Sequence, residues 1–340
     1  MMTFTSGQRQ RTKRVDRAMP SSPAIRALAS HSSGFRKKGE SCFIQASDGT
    51  ELHYLRWTNL SLAPWAVVIF LHGIASHAGW FGETAAHLQE RGVAVYAPDR
   101  RGSGLSGGRR GHLARYDRAI DDLDAMVSLV VAEQPDTPIF LAASSWAAKL
   151  GLVQAGRRPP LAGLMLLGPG LLPRVNLSPA RRVQVIAGHL VAPTARIAIP
   201  LTPEQYTTDP YYLDLIRKDP LRILSATTQF FWETARLDRL RLCASAQLKI
   251  PLLVLQGEAD AMMDVPRTRR WFSSLDTEDK TYRSYSDAGH TLDFGPTRAG
   301  YLADMLAWLT TRVASPAPGG RRIVLFSSAR SNLKDVACLR

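Results

Sequence analysis

The stretch FLAASSWAAK, residues 140–149, decides how the rest of the chain is read. A short apolar run stops at two serines and becomes helix-forming sequence. A nucleophilic serine is presented in this way, on a sharp turn between a strand and a helix. The usual pattern for that turn is G-x-S-x-G, whereas the chain reads A-x-S-x-A around Ser145. Ser145 is therefore either an activated nucleophile or an ordinary turn serine, and the surroundings must choose.

Working outward, the apolar runs AVVIFL (66–71), VAVYA (93–97), PIFLAA (138–143) and LAGLMLL (161–167) read as strands. Helical sequence follows the first three, at 82–91, 114–133 and 146–155. Further on come PLLVLQ (251–256), a helix near 266–274, KTYRSY (280–285) and a helix near 297–313. Continuous apolar strands alternating with helices predict a mostly parallel sheet covered on both faces. Upstream, CFIQAS and ELHYLRW flank Asp48-Gly49, a hairpin signal because glycine tolerates positive φ. Residues 171–247 interrupt the alternation with mostly helical patterns and prolines at 173, 179, 193, 200, 203, 210 and 220. An insertion between two strands of such a sheet is expected to cap a site. The sequence predicts one domain over 39–313, with ASPAPGG (314–320) ending it.

The formal net charge of +14 is unevenly spread. Residues 1–38 carry +8 and residues 314–340 carry +4, so the domain between them is nearly neutral. Basic arms can touch anionic surfaces weakly, while specific nucleic-acid binding is not expected. Such binding would weaken steeply with salt and vanish on removal of the arms. The N-terminal segment is Arg- and Ser-rich, which suits an organellar transit peptide or a start codon read too early, with Met19 as the alternative. No apolar run approaches the roughly 18 residues that span a bilayer, so an integral membrane protein is not expected. No secretory h-region follows the N-terminus. The three cysteines, Cys42, Cys243 and Cys338, form neither a metal-ligand spacing nor a disulfide framework. A cytoplasmic location is the expectation.

In an open parallel sheet, ligands bind beyond the carboxyl ends of the strands. Those ends read HGIASH, PDRRGSGLSGG, SSWAA, GEADAMMD and SDAGH. They supply Ser145, Asp260 and His290, the chain order that accompanies a nucleophile elbow. A serine hydroxyl needs a base to remove its proton, and His290 is the base expected. Asp260 would hold the imidazole tautomer and stabilise the imidazolium. Backbone N–H groups would stabilise the oxyanion: Trp146, after the serine, and Ile74, after His72-Gly73. Asp264 is a rival to Asp260 but lies further from its strand, and Asp287 reads as a turn residue. His72 is expected to brace its loop. DRRGSGLSGG lacks the G-x-x-x-x-G-K-[ST] spacing of a phosphate loop and reads as structural. Asp121, Asp122 and Asp124 read as the solvated face of their helix.

The segments FLHGIASHAGWF, YAPDRRGSGLSGGRRGH, FLAASSWAA, PLLVLQGEADAMMD and YSDAGHTL span residues 66–295 in order. Together they resemble the α/β-hydrolases, in the monoacylglycerol lipase and lysophospholipase-like branch that is also described as serine aminopeptidase-like. The resemblance implies a carboxylic ester hydrolase without cofactor or metal, acting on a small acyl ester. It implies Ser145, Asp260 and His290 as the triad, with the Ile74 and Trp146 amides as oxyanion hole. The departure is at the elbow. The family's two glycines are Ala143 and Ala147 here, and Ala148 replaces a third. Each alanine adds a methyl, and overpacking typically costs about 1–3 kcal/mol unless neighbours yield. Were Ser144 the nucleophile, Trp146 would fall at a close-packing position with no room for an indole, which favours Ser145.

Two other readings stay open. An amidase or aminopeptidase would need an acidic anchor for a peptide amine, and the insertion offers Glu204, Asp209, Asp214 and Glu233. A binding protein that has lost catalysis would explain the elbow alanines.

Overall fold

The computed structural model of the protein describes residues 39–58, 63–157 and 160–314. The basic segments expected at 1–38 and 314–340 lie outside the described residues, apart from Ala314, which ends a helix.

Strands β1 (Glu40–Gln45) and β2 (Glu51–Trp57) pair antiparallel across the Asp48-Gly49 turn. Gly49 has φ 78°, and Asp48 Oδ1 accepts the Thr50 N–H at 3.1 Å. The sheet continues with β3 (Ala66–Leu71), β4 (Val93–Pro98), β5 (Ile139–Ser144) and β6 (Gly163–Leu167). After β6, a separate two-stranded ribbon joins β7 (Arg196–Ala198) to β8 (Ser225–Thr227). β9 (Leu252–Gly257) and β10 (Lys280–Tyr285) complete eight strands in the order β1-β2-β4-β3-β5-β6-β9-β10. From β4 to β10 the neighbours are parallel, whereas β2 runs antiparallel to both β1 and β4.

Unbroken apolar runs are what a strand buried on both faces requires. β3 is buried at every residue. Its alternate side chains feed two cores: Val67, Ile69 and Leu71 on one face, Ala66, Val68 and Phe70 on the other. Helices α1 (Gly82–Gln89), α2 (Tyr116–Glu133) and α3 (Ala148–Gly156) follow β3, β4 and β5. α2 and α3 cover the first face with Leu123, Val127, Val130 and Leu152. The second face is covered by α1 with Ala85 and Leu88. Each fully buried Val, Leu, Ile, Phe or Met contributes about 1.5–3 kcal/mol, so the double layer fixes the strand ends firmly.

Between β6 and β9 the chain forms α4 (Pro179–Val191), α5 (Pro210–Lys218) and α6 (Thr228–Ala246) around the ribbon. Proline at the first helical position, after Ser178 and Asp209, starts α4 and α5. The ribbon was not expected, because its three-residue strands are too short to show a period. α6 packs on both α3 and α4, which ties the insertion to the helix behind Ser145. α7 (Val265–Ser273) follows β9, and α8 (Arg298–Ala314) closes the second face with Met305 and Leu309.

Two details differ from the sequence reading. Asp121 is exposed, but Asp122 pairs with Arg101 at 2.7 Å and Asp124 with Arg157 at 2.9 Å, so two of the three carboxylates brace α2. LAGLMLL enters the sheet only from Gly163. Among the described residues no helix is long and apolar enough to cross a membrane, and no cluster of three His, Cys, Asp or Glu is placed to hold a metal ion.

Candidate active site

β5 delivers the serine. Ser144 is still strand, with φ −93° and ψ 135°, and pairs with Leu167 of β6. Ser145 turns to φ 53°, the only positive φ outside glycine among the described residues. A 3-10 turn, Ser145–Ala147, then runs into α3. An L-residue held at such an angle typically costs about 1–3 kcal/mol and persists only where packing imposes it. That backbone distinguishes Ser145 from Ser144 as the residue on the turn.

Packing imposes the turn at two glycines. A Cβ on Gly170 would lie 2.8 Å from the Ser145 carbonyl carbon and 2.9 Å from the Trp146 nitrogen. Gly170 N–H also donates to the Ser145 carbonyl at 2.9 Å. Gly151, one turn into α3, faces Ala143, and a Cβ there would approach the Ala143 methyl to 2.9 Å. The Ala143 methyl is thus accommodated by a missing side chain further along the helix. Ala143, Ala147 and Ala148 are all fully buried.

The loops after β9 and β10 bring Asp260 and His290 to the serine. Ser145 Oγ lies 2.8 Å from His290 Nε2, and His290 Nδ1 lies 2.8 Å from Asp260 Oδ2. Both His290 and Asp260 are buried. Asp260 Oδ1 accepts the Met262 and Met263 N–H groups at 2.8 and 3.1 Å, and Oδ2 accepts the Gln256 amide at 2.9 Å. Burial alone would push the Asp260 carboxyl up. The neighbouring His290 and these hydrogen bonds outweigh it and hold the carboxyl below its ordinary value. An ionised Asp260 accepts the Nδ1–H and leaves the His290 Nε2 lone pair facing Ser145. Asp264 instead caps α7, accepting the Arg267 N–H at 3.0 Å, and Asp287 is an exposed turn residue.

The loop after β3 closes the other side. A Cβ on Gly73 would lie 3.1 Å from the Ser145 Cβ, so Ile74 follows a residue in contact with the serine. Trp146 N–H sits at the start of the 3-10 turn, where helical N–H groups lack intrahelical partners. His72 is fully buried, and its network assigns one tautomer: Nδ1–H donates to the Gly73 carbonyl at 3.0 Å, and Nε2 accepts the Arg100 N–H at 2.9 Å. Burial, reinforced by the Arg100 charge, pushes His72 well below its ordinary value and keeps it neutral.

Sequence reasoning missed Arg100, Gly170, Gln256 and Tyr206. The Arg100 guanidinium donates to the Gly73 and Ile74 carbonyls at 2.7 and 3.2 Å and lies 4.5 Å from the centre of the Trp146 ring. It thereby grips both segments expected to supply oxyanion donors. Tyr206, from the insertion, sets its ring edge-on to His290 at 6.2 Å. Trp146 stacks on Phe230 of α6 at 5.3 Å, and its Nε1–H donates to Thr234 at 3.1 Å. Only Gly170 left a trace in the sequence, as a glycine just beyond the end of a strand.

Residues 63–296 match the family model of the serine aminopeptidases, S33. The chain is 27% identical to the monoglyceride lipase of Mus musculus over 284 residues, 80% of this chain and 91% of that one. It is 24% identical to a phospholipase of Bacillus subtilis over 245 residues, 71% of this chain and 94% of that one. The solved monoacylglycerol lipase of Paleococcus ferrophilus superposes with a TM-score of 0.68 at 22% identity, covering 77% of this chain and 99% of that one. With the family matched from β3 through β10, including the insertion and the loops that carry Ser145, Asp260 and His290, the chain belongs to the serine aminopeptidase S33 family of α/β-hydrolases and is a serine hydrolase.

Proposed function

We propose that the chain hydrolyses carboxylic esters by acyl transfer to Ser145, with monoacylglycerols, lysophospholipids or similar medium-chain esters as substrates. The observation that carries the reading is the Ser145–His290–Asp260 relay at 2.8 and 2.8 Å, with Ser145 held at φ 53°. Ser145 Oγ attacks the ester carbonyl as its proton passes to His290 Nε2, and Asp260 stabilises the imidazolium. The oxyanion is received by the Ile74 and Trp146 N–H groups, each worth roughly 100- to 1000-fold in rate. Collapse breaks the C–O bond, and His290 returns its proton to the leaving alcohol. A water, deprotonated by the same nitrogen, then releases the acid.

The names of the relatives support a lipid ester, and so does the lining around the elbow. Trp146, Leu150, Phe230, Ile199 and Ile223 form one apolar cluster between the insertion and the elbow, as an acyl-binding cap would require. α4 adds a second hint. Val183, Ile186, Leu190 and Val191 are large apolar side chains exposed to solvent, beside the exposed Arg181 and Arg182. An apolar face edged by arginine suits contact with an anionic lipid aggregate.

The acidic side chains that could anchor a peptide amine already have partners within the chain, which favours the ester reading. Glu204 pairs with Arg217, Asp214 with Lys218, and Asp209 caps α5 at the Tyr211 N–H. Glu233 accepts the Tyr116 N–H at 2.9 Å and pairs with Arg236. A cytoplasmic location remains part of the proposal on sequence grounds.

The test is labelling with an alkyl fluorophosphonate and peptide mass spectrometry. An adduct at Ser145, lost in Ser145→Ala and His290→Ala, is expected, and a series of acyl-chain lengths then ranks substrates. Folded protein with no adduct at Ser145 would leave the inactive binding protein as the better reading.

A further inference from the structure

A second Ser–His–Asp relay lies outside the active site. Ser41 Oγ is 3.0 Å from His53 Nε2, and His53 Nδ1 is 2.7 Å from Asp99 Oδ2. These distances match those around Ser145 to within 0.2 Å. The elements that build it are different. Ser41 is on β1, the edge strand of the sheet, and His53 is on β2, where it faces Phe43. Ser41 is two residues from Phe43, so it meets His53 diagonally on the same face of the hairpin.

The three groups are graded in exposure as a nucleophile and its base require. Asp99 and His53 are each only 2% exposed, while Ser41 is open to solvent. Asp99 also accepts the Ala78 N–H at 2.8 Å and the Leu105 N–H at 2.9 Å, which fixes the carboxylate. His53 is fixed through its backbone as well, its N–H donating to Ser106 Oγ at 2.9 Å. With Nδ1–H given to Asp99, Nε2 is left to accept the Ser41 hydroxyl. A serine outside a base's reach is a poor nucleophile, and this one is within reach.

We propose that Ser41 is a second nucleophilic serine, a covalent acceptor for activated acyl and phosphonyl electrophiles. With a fluorophosphonate, the Ser41 Oγ–P bond forms as the P–F bond breaks. Fluoride leaves with the electron pair, and the hydroxyl proton passes to His53 Nε2 and then to solvent. With a p-nitrophenyl ester, the Oγ–acyl bond forms as nitrophenolate leaves, and the proton takes the same path. Ser41 lies within a strand, without the strand-to-helix turn that places the Trp146 N–H beside Ser145. The adduct is therefore stoichiometric and does not turn over.

The experiment uses the full chain carrying Ser145→Ala, so the active-site serine cannot report. Peptide mass spectrometry follows an alkyl fluorophosphonate at Ser41 and at the exposed Ser273, an internal control. Ser41 is expected to react about 100-fold faster than Ser273, the lower range for general-base assistance. Adding His53→Gln should bring Ser41 down to the Ser273 rate. Equal rates at the two serines, or a Ser41 rate indifferent to His53→Gln, overturn the proposal. If His53→Gln does not fold, the ratio of the two serines decides alone. p-Nitrophenyl acetate should give one equivalent of nitrophenolate, absent when Ser41→Ala is added, and sustained turnover at Ser41 would overturn the acceptor role.

Discussion

The methyl of Ala143 occupies space that Gly151 leaves open, so at this position the elbow closes without its usual glycine. Gly151→Ala would set two methyl carbons 2.9 Å apart, with Leu164 Cδ1 at 3.2 Å on the other side. Destabilisation of about 1–3 kcal/mol is expected by denaturant unfolding. Ala143→Gly in the same chain should recover most of it, because residues in contact couple. Additive effects of the two changes would refute the exchange. At Asp260 the expected effect is on rate. Asp260→Asn leaves the loop able to fold but presents an amide where Nδ1–H must donate. A fall of about 10⁴ in kcat, with KM little changed, is expected from ester kinetics. The residues of the candidate site could be proposed from sequence because each follows a strand end. Arg100 was not, because a guanidinium that holds two carbonyls from a neighbouring loop leaves no local pattern.

At the scale of elements, strands and helices of the sheet were readable because two buried faces demand unbroken apolar runs. The insertion was read less well. Its ribbon strands are three residues long, and of its helices only α6 packs directly on α3, with α4 in turn packed on α6. α4 shows the difference most clearly. Its segment VQVIAGHLVAP is strongly apolar, yet only Val185 and Gly188 of α4 are buried. Of the exposed large apolar side chains, Val183, Ile186 and Leu190 stand in a row at helical spacing, with Val191 beside Leu190. If that row meets the lipid phase, replacing all three by serine should lower hydrolysis of a long-chain ester presented in anionic vesicles, by about tenfold or more. Each buried side chain of this size is worth about 1.5–3 kcal/mol. Hydrolysis of a soluble short-chain p-nitrophenyl ester should not change. An equal loss on both substrates would point to a damaged cap instead.

Across the whole molecule, what the sequence could not show is how distant segments share buried carboxyls. Asp293 joins three parts of the chain: its carboxylate accepts hydrogen bonds from Thr84 of α1 and from Tyr301 of α8, and it lies three residues beyond His290. Thr84 Oγ1 and Tyr301 Oη also lie in contact with each other. No spacing in the sequence relates positions 84, 293 and 301, because the fold alone brings them together. Burial pushes the Asp293 carboxyl above its ordinary value, and the two hydrogen bonds offset this only in part. A carboxyl raised in the folded state binds its proton more tightly there than in the unfolded chain. Its contribution to stability is complete below the unfolded value, near 4, and is lost as pH rises through the folded value. Asp99, Asp219 and Asp260 are held below their ordinary values and act in the opposite sense, so the wild-type profile alone does not isolate Asp293. Asp293→Asn does, because the amide oxygen can still accept from Thr84 and Tyr301 but cannot ionise. The stability of Asp293→Asn relative to wild type, from thermal unfolding at pH 4 to 8, should therefore grow as pH rises. A difference that stays flat across that range would mean that the buried carboxyl is ionised throughout and that a positive group compensates it.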